Sequence, residues 1–312
     1  MIVPTRIHCF AFFLFLMTDL ICAGCQKEGF GIIVNSSLEE EELFFDSNCL
    51  TFPGLGIHQS MDIYKDDVFF VAASNNNLVC DIYNLHTSHL VRQVSLPFGE
   101  YSLPHANVSC FGKLFYSENS IAPVLYISSW NNGRQAFVFD FPNAGDKSQA
   151  SLVQVIDPGR VSEEIIGGGY LDWVIDGDGG YLYSIAYHIK GSSQISEGNF
   201  THIAKFQLPD LSKRIVDFTD ADVIDSFTVP VMTIFQDKCF HDNYIYVVSG
   251  HSGLGKEFPP RLYAINTLSK EMNEALIPLV GEPEGFCWYQ GRKWLNMYNS
   301  AIVYNLDLLI NN

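Results

Sequence analysis

Five segments of this chain share one pattern: a polar start, an apolar run, a tight turn and a second apolar run. They read HQSMDIY-KDD-VFFVAAS from His58, HANVSCF-GK-LFYS from His105, YLDWVI-DGDGG-YLYSIAY from Tyr170, FQDKCF-HDN-YIYVVSG from Phe235 and PEGFCW-YQGR-KWLNMY from Pro283. The spacing is roughly fifty residues and no helical periodicity lies between the copies. A strand pair cannot bury its apolar face alone, so the copies must pack against one another. The expected fold is all-β, a β-propeller.

Each copy continues as loop, strand, turn, strand, with the alternation of half-buried strands in runs such as QAFVFDF. The first blade adds LVCDIYNL and LVRQVSL, the second QAFVFDF and LVQVID, the third HIAKFQL and a strand near Ile215 to Phe218, and the fourth RLYAINT and EALIPL. The fifth stops early, because only Leu309 to Asn312 remain after AIVYNLDL. An N-terminal strand around Gly31 to Asn35 is expected to complete it, removing an exposed sheet edge. Five blades are expected, or six if Leu43 to Phe52 starts another.

With 312 residues, 47% hydrophobic and 14% aromatic, the chain can fill one large closed domain. Its formal charge of −17 argues against binding to nucleic acid or to an anionic lipid surface. The N-terminus reads as a targeting segment: Arg6 is basic, and Cys9 to Cys22 is an apolar stretch too short to span a bilayer, with Asp19 inside it. It ends in Cys22-Ala23-Gly24-Cys25, which resembles a bacterial lipobox with Cys25 as the lipidated residue; Cys22 stands where that family prefers Leu. Gln26-Lys27-Glu28 is similar to the charged signal of surface-exported Bacteroidetes lipoproteins. That resemblance implies a signal peptide at 1–24, a lipid-anchored tether at 25–28, a propeller at 29–312 and attachment to the outer membrane by acyl chains alone. A conventionally cleaved secretory signal is the alternative.

Five cysteines remain beyond Cys25: Cys49, Cys80, Cys110, Cys239 and Cys287. No CxxC spacing suggests zinc. Cys110, Cys239 and Cys287 fall at one position of three repeats, too far apart for bridging, and read as buried free thiols.

In a propeller the first strand of each blade lines the axis, and its start shares a face with the loop joining strands two and three. One rim therefore gathers His58, Gln59, His105, Asn107, Asp172, Gln236, Asp237, Glu282 and Glu284 from the first set. The second set supplies Asn75 to Asn77, Trp130 to Asn132, Tyr187, His188, His251, Tyr298 and Asn299. Four of the nine histidines, His58, His105, His188 and His251, come from four successive blades. Convergent polar groups with an aromatic platform of Trp130 and Tyr187 suit a sugar or another flat ligand. The bland account is that channel mouths are simply wet.

No cofactor or metal is expected. Asp176-Gly177-Asp178-Gly179-Gly180 resembles a calcium loop but stands where the other repeats have a hairpin turn. Asn35, Asn107 and Asn199 begin glycosylation sequons, but the lipobox resemblance implies a bacterial protein, where they mean little. Gly167 to Gly169 lacks the lysine of a phosphate loop.

His58-Gln59, His105-Ala106-Asn107 and Pro283-Glu284-Gly285 resemble the blade starts of five-bladed propellers of the teichoic-acid-biosynthesis-associated and phage-tail type. The likeness covers blade starts only, and Val108-Ser109 stands where that family tends to have an acidic residue. It implies engagement of surface polymers rather than a defined reaction. The expected function is binding of a glycan, peptide or envelope protein by a monomer. Two alternatives remain: a glycoside hydrolase or polysaccharide lyase using His105, Asp172 and Glu284, or a structural subunit of an envelope complex.

Overall fold

The computed structural model describes residues 49–74, 77–99, 101, 105–128, 134–143, 149–188, 200–230, 232, 234–251 and 258–310. Residues Thr51–Asn312 form one compact unit. After a short strand β1 (Cys49–Thr51), the strands gather into five sheets. Blade one is β2 (Ser60–Tyr64), β3 (Asp67–Ser74), β4 (Asn77–Asn84) and β5 (Leu90–Leu96). Blade two is β6 (Val108–Phe111), β7 (Leu125–Ser128), β8 (Ala136–Asp140) and β9 (Ser151–Arg160), with β13 (Ile215–Thr219) added outside. Blade three is β10 (Leu171–Asp176), β11 (Tyr181–His188), β12 (Phe200–Gln207) and β14 (Val223–Pro230). Blade four is β15 (Phe235–His241), β16 (Tyr244–Ser249), β17 (Arg261–Asn266) and β18 (Met272–Leu276). Blade five contains β19 (Pro283–Tyr289), β20 (Arg292–Met297) and β21 (Ile302–Asn305). Helices are confined to α1 (Glu163–Ile166), one 3-10 turn at Asp220–Asp222 and α2 (Leu306–Ile310) among the described residues. None of them is long and apolar enough to cross a membrane.

The chain is a five-bladed β-propeller. Its innermost strands meet in a ring: β2 touches β6, β6 touches β10, β10 touches β15, β15 touches β19 and β19 returns to β2. Every blade is covered on both faces, so the core divides into clusters at the seams. Phe69, Leu125, Phe139 and Phe141 fill the seam of blades one and two; Trp173, Phe206 and Phe218 fill that of two and three. Tyr183 stacks on Phe240 between blades three and four at 5.4 Å, and Phe286 and Leu295 pack with Cys239 and Val248 between four and five. The last seam is held by Phe52. Its N–H donates to the Ala301 carbonyl at 2.7 Å beside β21, while its ring meets Phe70 and Tyr83 of blade one edge-on. The closing strand expected at Gly31 to Asn35 lies outside the described residues.

Hairpin chemistry explains the register. In β15–β16 the two turn residues Asp242 and Asn243 have φ of 47° and 66°, and in β19–β20 Gln290 and Gly291 have 47° and 73°. Two successive residues in the left-handed region make the turn whose twist matches paired strands, and Asn, Asp and Gly tolerate it best. The DGDGG segment is the β10–β11 turn: Gly179 N–H donates to Asp176 Oδ1 at 2.7 Å.

Two strand assignments are corrected. The second strand of blade two is β7, not Leu114 to Ser117; Leu114, Phe115 and Tyr116 are exposed in an inserted loop, where Phe115 packs edge-on to Tyr64. Ile215–Thr219 does not end blade three. It pairs parallel with β9 of blade two, through Ile215 with Val155 and Val216 with Ile156, and β14 completes blade three instead. Cys80, Cys110, Cys239 and Cys287 are buried free thiols, whereas Cys49 is disulfide-bonded, its partner lying outside the described residues.

Gly250 fixes the approach of the β16–β17 loop to the axis. Its φ is 141°, and an added Cβ would lie 3.1 Å from Pro260 Cα and 3.2 Å from Pro283 Cδ. Gly250→Ala is expected to cost about 2 kcal/mol or more, read as a lower midpoint in urea.

Candidate functional site

The first strands of blades four and five are irregular where they reach the axis. Register shifts between Phe235 and Lys238 in β15, and between Pro283 and Gly285 in β19, leave Gln236, Asp237 and Glu284 inside bulges. A bulge re-aims side chains, which lets successive residues of one strand turn inward. Asp237 and Lys238 are both fully buried.

These two residues brace the ring. Asp237 Oδ2 accepts from Met61 N–H of blade one at 3.1 Å and Phe286 N–H of blade five at 2.8 Å, and its Oδ1 accepts from Lys238 N–H at 2.8 Å. Burial pushes its pKa well up, against the pull of those three donors. Lys238 Nζ donates to Asp172 Oδ2 of blade three and to the Gln236 carbonyl, both at 2.6 Å, and lies 4.1 Å from the centre of the Phe235 ring. Burial draws the lysine pKa down, and Asp172 opposes this. Asn107 Nδ2 of blade two donates to the same Asp172 oxygen at 3.1 Å.

Beside this brace lies a looser polar group. Gln236 Nε2 donates to Glu282 Oε1 at 2.8 Å, and His251 Nε2 stands 3.7 Å from that oxygen. His251 is 40% exposed, so the group opens to solvent. Glu284 is 3% exposed, and its Oε2 has no hydrogen-bond partner among the described residues. Burial, then the nearby Glu282 and Asp237 carboxyls, raise its pKa to about 9, so it is protonated at neutral pH. His105 is pushed down by burial, with Glu282 and Asp172 opposing, so its ring is neutral there. Asp172 Oδ1 and Gln59 Oε1 are also buried without a donor among the described residues.

Blades two to five thus bring His105, Asn107, Asp172, Asp237, His251 and Glu284 to one mouth. His58 is engaged elsewhere: it is 2% exposed, 3.1 Å from both the Gly56 carbonyl and Asp81 Oδ2, and packed on Phe70. Tyr187 and His188 end β11 at the level of Leu171, where β10 begins. Trp130 and Cys25 lie outside the described residues. Lys238 is the functional neighbour that pattern reading missed. Its signal is a lysine inside FQDKCF, a strand otherwise placed in the core.

No protein-family model matches the chain, and no curated protein matches it. Among solved structures it is similar to Kuenenia stuttgartiensis hydrazine synthase, at 12% identity and a TM-score of 0.44, over 78% of this chain and 74% of that one. It is also similar to Myxococcus xanthus glutaminyl cyclase, at 11% identity and a TM-score of 0.44, over 80% and 89%. A nidogen/laminin complex follows at 9% and 0.40, over 73% and 70%. The function must be argued from this chain's own residues.

Two outcomes test the electrostatics. Glu284 would titrate near 4.5 in the unfolded chain and at about 9 in the folded one. Between those values unfolding releases a proton, so its contribution is fully present below the lower value and is lost as pH rises through the window. Glu284→Gln is therefore expected to be more stable than the parent by roughly 3 kcal/mol at pH 7 and no more stable at pH 4. Denaturant melts at the two pH values check this. Lys238→Met is expected to lose about 3–5 kcal/mol by stranding Asp172, with Asp172→Asn in the same chain recovering much of it.

Proposed function

We propose that this protein is a binding propeller that takes a neutral, hydroxyl-rich ligand, a glycan, at the mouth formed by the starts of the first strands. The observation that carries this reading is the set of buried oxygens left without donors, Glu284 Oε2, Asp172 Oδ1 and Gln59 Oε1, beside a neutral His105. Sugar hydroxyls both donate and accept. They can satisfy such oxygens without bringing charge into a mouth where the buried Lys238 is already bound to Asp172. The amides of Asn107 and Gln236 add fixed donors and acceptors, and His251 at the solvent edge offers a further contact.

The N-terminal pattern ending at Cys25 supports a lipid-anchored envelope protein of Bacteroidetes type, with the propeller presented to surface polymers. The resemblance of the blade starts to teichoic-acid-associated and phage-tail propellers points the same way. One observation favours a second reading, glycoside hydrolysis: Glu284 is an acid still protonated at neutral pH, next to the Glu282 carboxyl. Such a pair suits a proton donor and its partner.

A glycan array probed with the chain from Gln26 onward, followed by product analysis of each hit, separates the two. Binding without turnover is the expected result. His105→Ala and Trp130→Ala should each reduce retention at least tenfold while moving the melting temperature by no more than ~2 °C, a shift small on the scale of a core defect. Unchanged retention in both variants would overturn the reading.

A further inference from the structure

The opposite end of the axis, where the hairpins between first and second strands lie, holds a cavity of about 440 Å³. Its wall comes from all five blades, with Asp62 from blade one, Lys113 from two, Asp176 and Asp178 from three, His241 and Asp242 from four, and Trp288 from five. Four carboxyl groups thus face two basic side chains, and both basic groups are already taken: Lys113 pairs with Asp178, and His241 lies 3.2 Å from Asp242. Among the described residues, Asp62 and Asp176 have only backbone donors. Ile63 and Phe111 N–H groups serve Asp62 at 2.8 and 2.7 Å, and Gly179 N–H serves Asp176. No lysine, arginine or histidine pairs with either among the described residues.

Trp288 adds an independent feature. Its ring is held by His241, stacked at 4.2 Å, and by Lys293 Nζ at 4.6 Å, yet its indole N–H is buried with no acceptor among the described residues. A buried donor without an acceptor, on a residue that lines the cavity, would gain one from a ligand that brings a carbonyl. No group of three His, Cys, Asp or Glu among the described residues is arranged to hold a metal ion.

We propose that this cavity is a second binding site, for an organic cation of the guanidinium or ammonium class that also carries a carbonyl, as a basic residue of a peptide does. The cation sits between Asp62 and Asp176, and the carbonyl accepts from Trp288 Nε1. The volume lies within the range of small-ligand sites. Asp62 is held up at about 6 by burial, and a cation beside it would relieve that cost. The site is independent of the glycan reading and lies at the other end of the axis.

Isothermal titration of the purified protein with argininamide tests it, with citrullinamide as the neutral isostere and calcium chloride as a separate arm. Saturable one-to-one binding of argininamide is expected, with citrullinamide at least tenfold weaker. Asp62→Asn should weaken argininamide at least tenfold, and Trp288→Phe and the exposed Asp242→Asn several-fold. Asp225→Asn, which removes one negative charge from the outer strand β14, should leave it unchanged, excluding general attraction to an acidic protein. Equal binding of citrullinamide, parental affinity in all three cavity variants, or displacement of argininamide by calcium at one-to-one stoichiometry would each overturn the proposal.

Discussion

A propeller has an edge that no blade can cover. The first strand of each sheet pairs outward with the second, and its other side faces the axis with N–H and C=O groups that a β-ladder would normally satisfy. Those groups are buried, and an unpaired buried amide costs on the order of 1–3 kcal/mol. Here side-chain carboxyls answer them. Asp237 takes the N–H groups of Met61 and Phe286, and Asp62 takes that of Phe111. Two aspartates therefore stitch blades one, two, four and five, and the Lys238–Asp172 pair with Asn107 joins blades two, three and four.

This solution sets the electrostatics of the axis. Carboxyls recruited as acceptors lose water, and burial raises Asp62, Asp237 and Glu284 together. Among the described residues one lysine, Lys238, is buried with them, and its charge is spent on Asp172. The mouth beside the brace consequently works with neutral groups, a protonated Glu284 and a neutral His105, rather than with the formal charges that composition suggests. A net charge of −17 describes the surface, not this mouth.

Much of this was legible in the chain, because the repeat forces it. Four of the five hairpins follow from turn residues and from apolar runs that only a two-sided blade requires. Failures came where the partner of a strand, rather than its pattern, decides the outcome. Leu114 to Ser117 reads as a strand, but thirteen residues separate β6 from β7 and leave it exposed in the insertion. Ile215–Thr219 has strand residues and is a strand, yet period-two alternation does not say which sheet it joins, and it crosses to β9. His58 looks equivalent to His105 by position. A carboxyl on the next strand but one, Asp81, holds it inside blade one, and a linear pattern cannot show that contact. Lys238 is not legible in the sequence, because the bulge between Phe235 and Lys238 breaks the alternation that would assign it a face.

The two mouths differ for a reason that bears on how each should be weighed. Tight hairpins favour Asp, Asn and Gly, so Asp66, Asp178 and Asp242 collect at one end of the axis by turn chemistry alone. Their charge is what folding leaves there and identifies no ligand. Asp62 and Trp288 are not turn residues; both sit within strands, where β-propensity favours an apolar side chain over Asp and where a buried indole N–H normally finds an acceptor. The same contrast holds at the other mouth, where Glu284 occupies a bulge that an apolar residue would fill at lower cost. At each end the residues that local folding rules do not require are the ones from which a function has to be argued.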